Sequence, residues 1–404
     1  MEMRLCRVIL LGAMIVLVGL ADGLPQDQAP VTRARRPARH PSEAGRTQAG
    51  RARKLDIRKI NDPKTMNVIG SHSQGDAVVR AAILLDRIKF SPGEISQIYN
   101  DNLKKAVSAF QYANGLTASG NVDPLTWSKL NASQSGIAQA TSNNSQQPQN
   151  QQSQNQSNLQ GQQTQQPQSQ QAPEPAQAIV MYVIALEDVS GPFTKLPTAT
   201  GRNAGEEFIL REARLKQLNY ESAAQLLGEK FHCSPVLLRE LNPGKALDKA
   251  GTQINVPNVG TPDPPKAASV FVDGATKSVE ALDGAEKILA LYPATMGSKH
   301  DPLPAGDWKI TEITHYPRFK YNPNLFWDSE DKNPRAILSP GPKNPVGVAW
   351  IGISKEHYGI HGTPNPAGIG VSESHGCIRL TNWDTLELSK IVSVGTPVMI
   401  KAAQ

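Results

Sequence analysis

The residues best able to do chemistry lie near the C-terminus, where two histidines and several glycines surround one cysteine, Cys377. A cysteine attacks carbonyl carbon as the thiolate, and its free pKa of about 8.5 means that a neighbouring group must favour the anion. Either histidine could be the base. His361 lies far enough upstream for a strand and a loop to return it beside the sulfur. His375 is so close in sequence that it cannot easily hold hydrogen-bond geometry with the thiol.

The same residue types permit two other chemistries. His361, His375 and Cys377 are suitable zinc ligands, but no convincing fourth ligand accompanies them. A papain-like protease would place its cysteine early and its histidine far downstream, whereas here the order is reversed and the span is short. We therefore expect a cysteine nucleophile that uses no metal and no cofactor.

The elements that must position these residues are mainly strands. After the proline-rich boundary at residues 261–265, short β-branched runs alternate with turn-rich stretches and predict a mostly β domain. The predicted strands cover residues 268–272, 278–281, 288–292, 308–314, 348–353 and 397–401. One helix is predicted from Asn382 to Ile391, with Asn382 as its cap.

These motifs carry a family resemblance. His361-Gly362-Thr363, followed by residues 374–380 (Ser-His-Gly-Cys-Ile-Arg-Leu), resembles the signature of the L,D-transpeptidase catalytic (YkuD) domain. Residues 303–308 and 344–347 are similar to the family's Thr-Pro-x-Gly-x-Phe turn and Asn-Pro-x-Gly segment. The resemblance implies an L,D-transpeptidase-like β-sandwich, which we place at residues 266–402.

The resemblance also implies a role for each matching residue. Cys377 would attack the carbonyl between the third and fourth residues of a peptidoglycan stem peptide, releasing D-alanine and leaving a thioester. His361 would take the thiol proton, with the Gly362 carbonyl orienting its other ring nitrogen. The backbone N–H groups of His375, Gly376 and Cys377 would form the oxyanion hole.

Three further residues are implied at the substrate: Arg379, Ser374 and Thr363. Arg379 could hold a substrate carboxylate or brace the loop. The acceptor stays open: an amine of another stem gives a 3-3 crosslink, an amine of a protein attaches that protein to the wall, and water makes a carboxypeptidase. A fourth possibility is an inactive anchoring protein that keeps the fold.

Two smaller units precede the catalytic domain. Residues 75–130 show helical apolar spacing, and residues 102–130 resemble a peptidoglycan-binding module through an Ala-Val-x-x-Phe-Gln helix and a Gly-Leu pair. Residues 223–257 give two short helices and a strand that resemble the second half of a LysM module, a family that binds N-acetylglucosamine-containing polymers. We expect a small α-helical domain at 71–131 and a small α+β module at 179–260, with glycan strands as a partner.

The remaining segments predict a signal for export and two flexible connecting regions. Residues 1–23 have the basic, apolar and small-residue regions of a signal peptide, and the apolar run is shorter than a membrane span needs. Residues 24–70 are rich in arginine and predict a basic disordered segment, and residues 132–178 predict a Gln/Asn/Ser-rich linker. We expect an exported protein of the periplasm or cell wall, with no stable membrane insertion after cleavage and no nucleic-acid partner.

Export affects the remaining cysteine, because thiols in an oxidising compartment tend to pair. Cys233 could form a disulfide with Cys377, but the motif around Cys377 requires a free thiol. We therefore expect Cys233 to be a small buried apolar residue, and His232 beside it to be a packing residue and not a metal ligand.

Overall fold

The computed structural model describes residues 54–144, 177–197, 204–326, 329 and 334–403. The predicted signal, most of the basic segment and most of the polar linker lie outside these residues. In the part of the chain that is described, no helix is both long and apolar enough to cross a bilayer.

The first unit is helical. Its helices are α1 (Ile57–Asn61), α2 (Asp76–Arg87), α3 (Asp101–Ala113) and α4 (Pro124–Asn144). Helix α3 begins where the Asn100 side chain accepts a hydrogen bond from the backbone N–H of Leu103. Phe110 and Trp127 are almost fully buried in the shared core. The helical domain expected here is therefore present.

Both edges of this unit extend further than expected. The disordered segment predicted for residues 24–70 is wrong from residue 54 onward, because α1 is capped by Asp56 and buries Ile60 completely. The linker predicted from residue 132 is wrong for its first part, because α4 continues to Asn144. Gln134 holds that turn in place by accepting a hydrogen bond from Arg87 Nε at 2.8 Å.

The second unit is a two-stranded sheet with helices between its strands, two of which the sequence predicted. We call it the βααβ unit after its strands and those two helices. Its elements are β1 (Ile179–Val183), α5 (Leu186–Val189), α6 (Ala204–Glu212), α7 (Ala223–Lys230), α8 (Pro235–Leu241) and β2 (Gln253–Pro257). Strands β1 and β2 pair antiparallel. A strand that the sequence did not predict therefore precedes the two predicted helices and the predicted strand.

The third unit covers residues 266–402, where the sequence predicts the catalytic domain, and we call it the catalytic region. Its strands are β3 (Ser269–Asp273), β4 (Ser278–Leu282), β5 (Ile288–Pro293), β6 (Thr295–Met296), β7 (Gly306–His315), β8 (Phe319–Tyr321), β9 (Ala336–Leu338), β10 (Ala349–Ile353), β11 (Gly359–His361), β12 (Ile378–Arg379) and β13 (Pro397–Lys401), with helix α9 (Asn382–Ile391) before β13. All six predicted strands are observed, with ends shifted by at most two residues.

Strand β7 joins the two halves of a nine-stranded sheet in the order β5-β4-β3-β13-β7-β10-β11-β12-β6. Its first residues pair with β13 and its later residues with β10. Val272 and Val279 from one half and Ile351 and Ile360 from the other are buried in one core. This common core makes the folded sheet a β-sandwich, as predicted.

Both smaller units contact helix α9 of the catalytic region. From the helical unit, Ser91 donates to Asp384 Oδ2 at 3.0 Å and Lys89 pairs with Glu387. From the βααβ unit, the His232 ring stacks on Trp383 at 5.1 Å between centroids. The helix begins and ends as predicted, but its cap is Thr381, whose hydroxyl accepts from the backbone N–H of Asp384.

Candidate active site

Strand pairing brings Cys377 and His361 to one face of the sheet. Strands β11 and β12 are parallel, with Ile360 opposite Ile378. Both isoleucines are fully buried in the core, and successive residues of a strand point to opposite faces. His361 and Arg379 therefore share the other face with Cys377, which directly precedes β12. Strand β11 therefore carries His361 to the face of the sheet that holds Cys377.

The imidazole of His361 is fixed on two sides. Its Nδ1 lies 2.7 Å from the carbonyl oxygen of Gly362. A carbonyl only accepts hydrogen bonds, so Nδ1 carries the proton and Nε2 keeps its lone pair. The ring also stacks on Trp350, at 5.5 Å between centroids and 21° between planes. This geometry presents Nε2 as a base.

Electrostatics keep His361 neutral. Burial, together with the nearby Arg379 guanidinium, lowers its pKa to about 3, against the opposing effect of the Gly362 carbonyl. The imidazole is therefore uncharged at neutral pH and able to accept a proton.

The thiol of Cys377 is also neutral at rest. Burial raises its pKa, although the Gly359 N–H and the Arg379 charge oppose that rise. In this conformation Sγ donates to the carbonyl oxygen of His357 at 3.6 Å and not to His361. Catalytic hydrogen bonds often tighten only when substrate binds. The resting pair is thus a neutral thiol and a neutral imidazole on the same face.

The turn before Cys377 depends on glycine. Gly376 has φ of +93°, and a Cβ at that position would lie 2.6 Å from Cε1 of Tyr358. Only a residue without a side chain fits both the conformation and the space. Beside it, the His375 ring packs edge-on against Phe326, at 4.9 Å between centroids. Of the two histidines left open by the sequence, the geometry favours His361 as the base.

The three residues expected at the substrate also contact the loop between β11 and β12. Ser374 is buried and donates from Oγ to the carbonyl oxygen of Cys377 at 2.6 Å. Thr363 is buried and accepts from the backbone N–H of Asn365. Arg379 donates from Nη1 to the carbonyl oxygen of Glu373 at 3.4 Å. These contacts favour positioning of the loop, and for Arg379 they favour the bracing role.

Sequence reasoning missed several neighbours of the site. Trp350 and Tyr358 both precede the motif in sequence, but an aromatic residue in a β domain indicates core packing as readily as it indicates a place beside an active site. The Gly359 N–H and the His357 carbonyl are backbone groups, which leave no trace in residue type. Within the described ranges no group of three or more His, Cys, Asp and Glu side chains could hold a metal ion.

Two family models match the chain. The L,D-transpeptidase catalytic domain (YkuD) matches residues 267–400, and a peptidoglycan binding domain matches residues 74–130. A Bacillus licheniformis protein named L,D-transpeptidase YkuD is 32% identical over 173 residues, which cover 42% of this chain and 88% of that protein. The chain belongs to the L,D-transpeptidase family.

A second curated protein and a solved structure are also similar to this transpeptidase. The Escherichia coli K12 protein named L,D-transpeptidase YbiS is 29% identical over 243 residues, covering 55% of this chain and 72% of that protein. A crystal structure of the L,D-transpeptidase from Xylanimonas cellulosilytica covers 83% of this chain and 98% of its own, at 13% identity and a TM-score of 0.33.

The transpeptidase is therefore an enzyme that carries a peptidoglycan-binding domain, and both of those predictions are confirmed. The LysM-like interpretation of residues 179–260 stays a prediction.

Proposed function

We propose that the enzyme acylates Cys377 with a peptidoglycan tetrapeptide stem, releases D-alanine and transfers the acyl group to an amine. The observation that carries this proposal is the Nδ1 contact of His361 with the Gly362 carbonyl, on the sheet face that holds Cys377. It leaves Nε2 as the free base for the thiol.

The first half-reaction consumes the donor stem. His361 Nε2 takes the thiol proton while Sγ attacks the carbonyl carbon between stem residues three and four. The backbone N–H groups of Gly376 and Cys377 donate to no other described residue, so both are available to the developing oxyanion. The intermediate collapses, the carbon–nitrogen bond breaks, and His361 returns the proton to the departing D-alanine.

The second half-reaction transfers the acyl group. The acceptor amine attacks the thioester carbon and gives its proton to His361. The carbon–sulfur bond breaks, and the thiolate recovers that proton from the imidazolium. An amine of another stem gives a 3-3 crosslink, an amine of a protein gives wall attachment, and water gives a tripeptide.

The proposed substrate indicates the cellular location of the enzyme. We propose that it works in the periplasm or cell wall, because its matched domains are a peptidoglycan-binding domain and an L,D-transpeptidase catalytic domain. The signal predicted at residues 1–23 agrees with this.

The test is mass spectrometry of the purified enzyme with a disaccharide-tetrapeptide. We expect D-alanine release, an acyl-enzyme adduct on Cys377 and a crosslinked dimer, all lost in Cys377→Ala and kept in the matched control Cys233→Ala. Tripeptide without dimer would instead assign a carboxypeptidase. No adduct and no turnover in the wild type would contradict the thioester mechanism and favour an anchoring protein.

A further inference from the structure

Asn382, the first residue of helix α9, has a buried side-chain amide with a hydrogen bond at each polar atom. Its Oδ1 accepts from the backbone N–H of Val348 at 3.2 Å. Its Nδ2 donates to the Pro342 carbonyl at 3.2 Å and to Glu229 Oε1 at 2.9 Å. Because Glu229 belongs to α7, this amide links the catalytic region directly to the βααβ unit.

The Asn382 amide also packs directly against the backbone that holds the candidate base. A Cβ on Gly362 would lie 2.2 Å from Asn382 Oδ1, and a Cβ on Gly347 would lie 2.1 Å from it. The amide oxygen therefore fills the space behind the Gly362 peptide. The carbonyl of that same residue receives His361 Nδ1. The position of the Asn382 amide thus limits where the Gly362 carbonyl can lie.

Glu229 is itself held in one place. Tyr220 donates from its hydroxyl to Glu229 Oε1 at 2.9 Å, the same oxygen that receives Asn382 Nδ2. Burial raises the pKa of Glu229, although both of these donors oppose the rise. A neutral carboxylic acid at this position has nearly the shape of glutamine, which retains the accepting oxygen.

We propose that Asn382 is a positioning residue for His361, and that Glu229 fixes the Asn382 amide. The βααβ unit is then part of the catalytic apparatus and not only a wall-binding attachment. The proposal rests on the proposed function in one respect: it takes His361 as the base that activates Cys377.

The experiment compares Glu229→Leu, Glu229→Gln and Asn382→Ala in the full chain. Two readouts are used: kcat and KM on the disaccharide-tetrapeptide, and the tautomer of His361 from ¹⁵N spectra of the histidine side chains. The His361 signals are assigned by their loss in His361→Gln. Glu229→Leu removes one of the two acceptors of Asn382 Nδ2 and leaves the Pro342 carbonyl, whereas Glu229→Gln retains both.

We expect Glu229→Leu and Asn382→Ala to lower kcat about tenfold with KM changed less than about twofold, because a misplaced base slows chemistry without removing substrate contacts. We expect the Nδ1–H tautomer of His361 to dominate in the wild type and in Glu229→Gln, and to lose population in the other two variants. Near wild-type kcat in Glu229→Gln would show that the hydrogen bond from Asn382 Nδ2, and not a negative charge on Glu229, is what the active site requires.

A matched control tests whether any loosening of helix α9 has the same effect. Lys89→Met breaks the ion pair with Glu387 on the same helix without touching Asn382. We expect it to lower Tm and to leave kcat and the His361 tautomer unchanged.

The proposal is overturned if Glu229→Leu lowers Tm as the control does while kcat and the tautomer stay at wild-type values. It is also overturned if Lys89→Met reproduces the full effect of Glu229→Leu. A wild type without turnover would defeat the proposed function alone, since the tautomer comparison would still decide whether Glu229 and Asn382 orient His361.

Discussion

The chain places a histidine near a cysteine in two regions, and the surroundings make the two pairs chemically different. At the candidate active site, Cys377 is half-buried and His361 is held neutral. Where the helical and βααβ units meet, Cys233 is fully buried, and His232 lies with Nδ1 3.1 Å from both carboxylate oxygens of Asp86. Residue type alone therefore does not make a nucleophile; access and the charge state of the imidazole do.

The charge on the two histidines differs for a clear reason. Around His232, burial disfavours the cation, but Asp86 outweighs it with help from Asp384 and Glu387, and the pKa rises. Around His361, the charge of the Arg379 guanidinium adds to the effect of burial, and the two lower the pKa. The surroundings thus favour the protonated form of His232 and the neutral form of His361.

Replacing each histidine by glutamine is the most direct test of whether His361 and His232 differ in function. We expect His361→Gln to lower kcat by about 10² to 10⁴, the usual contribution of a positioned general base. We expect His232→Gln to leave kcat within about threefold, because that ring contacts Trp383 and Asp86 and not the reacting atoms. Steady-state kinetics on the disaccharide-tetrapeptide measures both, and equal losses would contradict the separation.

Alkylation by iodoacetamide compares the two thiols directly. We expect Cys377 to react at least about a hundredfold faster than Cys233, because burial raises the pKa of Cys233 and the thiol is covered. Peptide mapping by mass spectrometry distinguishes the two sites.

The pH dependence of the same alkylation tests the resting charge state. Because the pKa of Cys377 is raised and that of His361 is about 3, we expect the rate to climb with pH from neutrality upward. A stored thiolate–imidazolium pair would give a plateau extending down to about pH 5, which would contradict two neutral partners.

Stability should depend on pH through His232. Its pKa is raised in the folded protein, so its ion pair stabilises fully below the ordinary value of about 6.5 and is lost as pH rises through the folded pKa. We expect the free energy of unfolding to fall over that range, and His232→Gln to flatten the fall. Burial raises the pKa of Asp384 to about 8 with the same sign, so the comparison must be made between variant and wild type by urea titration.

The smallest expected effect concerns packing of the second cysteine. Cys233→Ala removes one buried heavy atom and should cost about 1 kcal/mol of unfolding free energy, with kcat unchanged. A loss of turnover in this variant would mean that the two regions are coupled more closely than their contacts indicate. Urea denaturation and the same kinetic assay check the two halves of the prediction.

The sequence predicted what depends on residue type and local spacing. The six strands followed from β-branched runs, and the positions of Cys377 and His361 followed from a motif and one strand return. Ile60 shows why residues 54–70 were misjudged: they follow an arginine-rich stretch, and a helix of only five residues is too short to show a periodic apolar pattern. Ile60 nevertheless fills a core built by distant segments. Asn382 shows a second limit, since its amide reaches Glu229, which lies more than a hundred residues away in the chain.

The contacts made by helix α9 indicate that a search for inhibitors should use the full chain and not the catalytic region alone. A protein shortened to residues 266–402 would lose Lys89 and Ser91 from one face of the helix and Glu229 and His232 from another. The Trp383 ring would be uncovered, and the amide behind the Gly362 peptide would lose a partner. Compounds selected against such a fragment would meet a reaction centre shaped differently from that of the intact enzyme.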